Sequence, residues 1–197
     1  MLKKLLAAAL FFGAGAVPAR AHPDHVHGHG SFMTGFLHPL FGTDHILAMV
    51  AVGLWASLLG GRALWLVPAA FVGTMTIGFA AALSGWELPL VEPMILSSVV
   101  VIGLLTAVAL RVPTWAGMVL VGFFALFHGH AHGEELGSAG ALSFGIGFAI
   151  ATALLHAVGV GAGLALGRAA GGETGRLVTR IAGALTAAGG LWLAIAG

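Results

Sequence analysis

Two short runs in this chain carry residues able to do chemistry: His38-Pro39-Leu40-Phe41-Gly42-Thr43-Asp44-His45, and Phe127-His128-Gly129-His130-Ala131-His132-Gly133-Glu134-Glu135. Imidazole nitrogens and carboxylate oxygens in such groups suit a borderline divalent ion such as nickel, cobalt or zinc. On an uninterrupted helix His45 stands about −20° around the axis from His38 and two turns on, while Asp44 points about 120° away. Pro39 and Gly42 weaken a continuous helix at this place, and a broken or late-starting one brings His38, Asp44 and His45 together. In the second run a helix gathers His128, His132 and Glu135 within about 60° of arc, and His130 and Glu134 point elsewhere. Three histidines in five residues exceed what a helix end in the headgroup region needs.

Several lesser candidates surround these runs. Met49, one turn beyond His45, offers a weak thioether, although a methionine there more commonly packs. Glu92, followed by Pro93, reads equally well as a carboxylate beside a helix N-terminus and as a metal or proton group. His156 lies inside a long apolar stretch, where an imidazole either bonds a neighbouring helix or lines a path. Upstream, His22, His25, His27 and His29 form a His-rich tract of the kind that binds nickel, zinc or copper loosely and concentrates ions at an entrance. Pro23 removes the backbone amide that a tight N-terminal square-planar chelate requires.

The elements that must hold these groups follow from composition. The 197 residues are 59% hydrophobic and 8% charged, with mean hydropathy +1.04, whereas a soluble domain carries roughly 25% charged residues. This is the composition of an integral membrane protein. Cysteine is absent, which excludes disulfides and thiolate metal centres, and the net charge of +1 comes with no basic cluster of the kind that nucleic acid attracts. Lys3 and Lys4, the apolar core Leu5 to Val17 and Ala19-Arg20-Ala21 have the three parts of a cleavable signal peptide over residues 1–21, leaving His22 as the mature start. A His-rich external segment (22–35) then precedes a membrane domain (36–197).

Apolar runs of spanning length recur at Phe36 to Leu59, Leu64 to Leu83, Leu90 to Leu110, Thr114 to His130, Ala139 to Leu166 and Leu177 to Ala196. The predicted architecture is therefore an all-α bundle of six transmembrane helices. Breaks are expected at Gly60-Gly61, Ser84-Gly85, Val112-Pro113, Gly133 to Gly137 and Gly171-Gly172. With the mature N-terminus outside, the loops bearing Arg62, Arg111 and Arg168, Arg176 and Arg180 all face the cytoplasm, so both mature termini are periplasmic in a bacterial inner membrane. Gly159, Gly163 and Gly167 repeat at a spacing that allows close helix packing.

The first run with the Ile46-Leu47-Ala48-Met49 that follows it, together with the second run, closely resembles the two signatures of the HupE/UreJ family of nickel permeases. The likeness extends over nearly the whole chain and includes Val91-Glu92-Pro93-Met94 and Ala153-Leu154-Leu155-His156. The resemblance implies a secondary, non-ATP-driven permease that brings divalent nickel, or cobalt, inward to supply hydrogenase or urease maturation proteins. It assigns the metal-handling roles to His38, Asp44, His45, His128, His132 and Glu135, with His130 at a variable position. Its partners are then the transported ion and the lipid bilayer, and no resident cofactor is implied.

Two other functions share these ligands. An intramembrane zinc hydrolase needs a closed catalytic ligand set and a substrate entrance, and no entrance is identifiable. A metal sensor or store binds without flux. Ligands at the outer mouth, His156 deeper in the bundle and no soluble catalytic domain favour transport.

Overall fold

The structure is a computed structural model that describes residues 32–136 and 140–196. The expected signal peptide over residues 1–21, and His22, His25, His27 and His29, lie outside the described residues. Among the described residues seven helices follow one another: α1 (Phe32–Phe41), α2 (Thr43–Leu59), α3 (Ala63–Leu83), α4 (Val91–Ala107), α5 (Thr114–Leu136), α6 (Ala141–Ala169) and α7 (Gly172–Ala196). Among the described residues the fold is all-α.

The apolar face of this protein is its outside. Ile77, Leu104, Val119, Val158 and Leu185, from five different helices, are all more than half exposed, which suits hydrocarbon and not water. Helices α3, α5, α6 and α7 are each long and apolar enough to cross a membrane. Helix α4, with 17 residues, is shorter. The predicted first span, Phe36 to Leu59, is not one straight helix. It is divided into α1 and α2, which meet at 81° and pass as a span only when taken together.

Two residues mark the break. Pro39, inside α1, has no N–H to give back to the preceding turn. Gly42 then adopts an extended backbone (φ −81°, ψ 114°) and acts as the N-cap of α2. A Cβ at position 42 would lie 3.0 Å from His45 Nδ1 and 3.1 Å from Asp44 Oδ1, so glycine here both turns the chain and leaves room for that pair.

A second difference lies at the end of α5. A break was expected from Gly133 to Gly137, yet the helix continues through Gly133 to Leu136. Gly133 stays helical because its missing side chain lets α5 close on α3, where a Cβ would run into the Phe79 carbonyl and, at 2.8 Å, Ala82. The same device recurs through the bundle. Gly129 faces the Met75 carbonyl, Gly78 the Leu126 carbonyl, and Gly53 of α2 crosses Gly159 of α6. Gly163 packs on Ser57, but a Cβ on Gly167 would meet nothing within 4 Å, so the repeat on α6 is a packing stripe over two of its three members. The core within these crossings holds Met49, Val52, Trp55, Phe71, Met75 and Phe148. Met49 is fully buried there, in a packing position.

The two ends of the bundle differ in chemistry. His38 stands in the last turn of α1, Asp44 and His45 at the start of α2 and His132 near the end of α5. At the far end of α2, Ser57 shares a cleft with Arg111, Arg168 and Arg176. Trp55 Nε1 donates to the Leu110 carbonyl at 3.0 Å nearby.

Candidate metal site

The 81° bend turns two sequence neighbours into facing walls. His38 on α1, His45 on α2 and His132 on α5 each present one ring nitrogen, and the three atoms all lie within 4.8 Å of one another. His45 Nε2 is 2.7 Å from His132 Nε2, and the His38 ring centroid is 4.3 Å from that of His132. Three imidazoles at these separations can converge on one ion of the borderline class, with nitrogen–metal bonds of about 2.0–2.1 Å for zinc as a guide.

Asp44 does not point away. With the helix starting only at Thr43, its Oδ2 reaches 2.9 Å from His45 Nδ1, the nitrogen on the opposite side of the ring from the cluster. That arrangement is a carboxylate behind an imidazole, which sets the ring's orientation and raises its basicity as a ligand. The straight-helix geometry that separated Asp44 from the two histidines is corrected by the break at Gly42.

Exposure is uneven across the cluster. His38 and Asp44 are partly exposed, whereas His45 and His132 are 5% exposed and His128 is wholly buried. His128 sits one step further in, its ring centroid 5.2 Å from that of His45 and its Nε2 2.9 Å from Ser98 Oγ. Ser98 Oγ donates to the Ile95 carbonyl at 2.6 Å, so the ring N–H of His128 must be the donor to Ser98. Its Nδ1 then carries a lone pair that no hydrogen bond uses. The walls are aromatic: Phe148 lies 4.7 Å from His132, and Phe71 lies 5.5 Å from His128, centroid to centroid.

The remaining candidates separate. His130 turns away, to the Trp86 carbonyl at 2.6 Å and to Glu134 at 3.7 Å. Glu92 is exposed on the first turn of α4, lining an apolar groove with Leu96, Val100 and Leu191 and not the histidine cluster. His156 is buried near the middle of α6 against Phe71, at 4.9 Å between centroids. Glu135 belongs to the last turn of α5, and its side chain is outside the described residues.

A family model described as HupE / UreJ protein matches residues 9–193. The chain belongs to the HupE/UreJ family. It is 45% identical over 183 residues to Protein HupE of Rhizobium leguminosarum bv. viciae, an alignment that covers 91% of this chain and 93% of that one. No solved structure matches it. Within a HupE/UreJ chain the two histidine runs thus come from opposite sides of the sequence to one end of the bundle. Three contributors had no signal in the sequence. Ser98 is 30 residues from its partner His128 and looks like any hydroxyl in an apolar span, and Phe71 and Phe148 look like ordinary core aromatics.

Proposed function

We propose that the protein is a secondary permease that takes divalent nickel, or cobalt, inward across a bacterial inner membrane. The observation that carries this reading is the three-histidine cluster at one end of a lipid-facing bundle, with His45 and His132 buried and His38 and Asp44 partly exposed. The ion exchanges water for His38 at the mouth, then for His45 and His132, with Asp44 orienting His45 and offsetting one unit of the ion's charge. The family resemblance adds Glu135, in the last turn of α5, to the metal-handling groups. Such a set is weaker than a closed tetrahedral cage, as transport demands, since the ion must leave as well as enter.

Membership of the HupE/UreJ family supports a nickel or cobalt permease role. In the full reading, residues 1–21 are a removed signal peptide. The span broken at Gly42, the four long helices and the shorter α4 together make six crossings. Arg62, Arg111, Arg168, Arg176 and Arg180 mark the cytoplasmic side and leave both mature termini periplasmic. The His-rich segment gathers ions outside, and hydrogenase or urease maturation proteins receive them inside. No observation favours an intramembrane zinc hydrolase.

The direct test is uptake of radioactive nickel by cells making the wild-type chain or His38→Ala, Asp44→Ala or His132→Ala at equal membrane levels. All three variants should lose uptake. Undiminished uptake in all of them removes this path.

A further inference from the structure

The outer cluster leaves one buried group without work. His156 is 1% exposed, and neither Nδ1 nor Nε2 has a hydrogen-bond partner. A buried imidazole with both nitrogens idle is costly to retain, and leucine would fill the same space without that penalty. The surroundings are not purely apolar either. Thr152, one turn earlier on the same helix and fully buried, donates its hydroxyl to Met75 Sδ at 3.7 Å. Its oxygen lone pairs stay available on the face of α6 that carries His156. Met75 stands one turn beyond Phe71 on α3.

Phe71 links this place to the outer cluster. Its ring touches His128 at 5.5 Å and His156 at 4.9 Å between centroids, the latter edge to face at 74°. His128 in turn adjoins His45 at 5.2 Å and keeps an unused lone pair on Nδ1. Polar groups therefore step inward from His45 to His128 and then, across one aromatic ring, to His156. Resting on the permease reading, we infer that His156 is an inner station for the transported divalent ion, reached from the outer cluster by way of His128 and past Phe71. The Thr152 hydroxyl and the Met75 thioether serve as its weak additional donors. A site with one strong nitrogen ligand and two weak ones holds an ion briefly, as the second of two sequential sites should.

The chain contains no cysteine, which gives a specific probe. In His156→Cys the only thiol of the protein sits at the proposed station, and cobalt(II) added to the purified full chain gives a thiolate-to-cobalt charge-transfer band only if the ion arrives there. The band is expected. In proteoliposomes, His156→Leu should lower the maximal nickel flux about tenfold or more, at least as much as losing a supporting group costs a metal site. The KM for external nickel should stay near the wild-type value, and the metal-free protein should melt no lower than wild type. Wild-type flux in His156→Leu, or no band in His156→Cys while the wild type transports nickel, overturns the inner station. Absence of flux in the wild-type chain itself instead removes the permease reading on which it rests.

Discussion

Replacing Asp44 by asparagine tests whether this carboxylate binds the ion or works through His45. Its Oδ2 lies 2.9 Å from His45 Nδ1, and its side chain is 27% exposed against 6% for that of His45. A contact to a charged group of this kind contributes about 1.5–3 kcal/mol, and removing the partner behind a metal-bound histidine costs about 10–100-fold in affinity. Because a tenfold change is about 1.4 kcal/mol, the two figures describe the same effect. The ring nitrogen makes no well-aligned hydrogen bond with the carboxylate, so the lower end, about tenfold in the KM for nickel, is expected for Asp44→Asn. The assay is initial-rate uptake of radioactive nickel across a concentration series, in wild type, Asp44→Asn, His45→Ala and the double variant at equal membrane levels. If Asp44 acts through His45, the double variant is no worse than His45→Ala alone. A double variant that loses a further tenfold would make Asp44 an independent ligand and refute the positioning role.

Two further outcomes follow from packing and from donor type. Gly129→Ala forces a methyl onto the Met75 carbonyl and should destabilise the bundle by about 1–3 kcal/mol or more, read as a lower melting temperature in detergent. Gly167→Ala, with nothing within 4 Å of the new methyl, should melt like wild type, and equal behaviour of the two would disprove the close α3–α5 contact. In uptake competition, cobalt(II) and zinc(II) should suppress labelled nickel whereas a large excess of magnesium or calcium should not, because the cluster offers imidazole nitrogens and hard cations require oxygen shells; suppression by magnesium would argue against a nitrogen site.

The legible part of this protein was whatever local pattern records. Apolar length gave α3 to within a residue and placed the breaks at Gly60-Gly61 and Ser84-Gly85, because a spanning helix must satisfy its own backbone and leaves an unbroken apolar run behind. Local pattern also identified Pro39 and Gly42 as weak points, but not the 81° turn, since whether a glycine bends a helix depends on what packs around it. Gly133 shows the converse. A glycine that reads as a breaker stays helical when a neighbouring helix needs its missing side chain. The contact of His132 with His45 spans 87 residues, and the bond of His128 to Ser98 spans 30. No helical period reports such pairings.

The break at Gly42 also bears on how a membrane protein can hold a dication and still release it. In the permease reading, three neutral imidazoles and Asp44 alone would leave a bound divalent ion with one unit of uncompensated charge beside the aromatic walls of Phe148 and Phe71, where unbalanced charge is costly. With Asp44 behind His45, orientation of the ligand is gained without adding a second bond to the ion. Two of the three histidines sit on opposite sides of the bend, His38 on α1 and His45 on α2, so a small change of angle at Gly42 alters the ligand set without unfolding either helix.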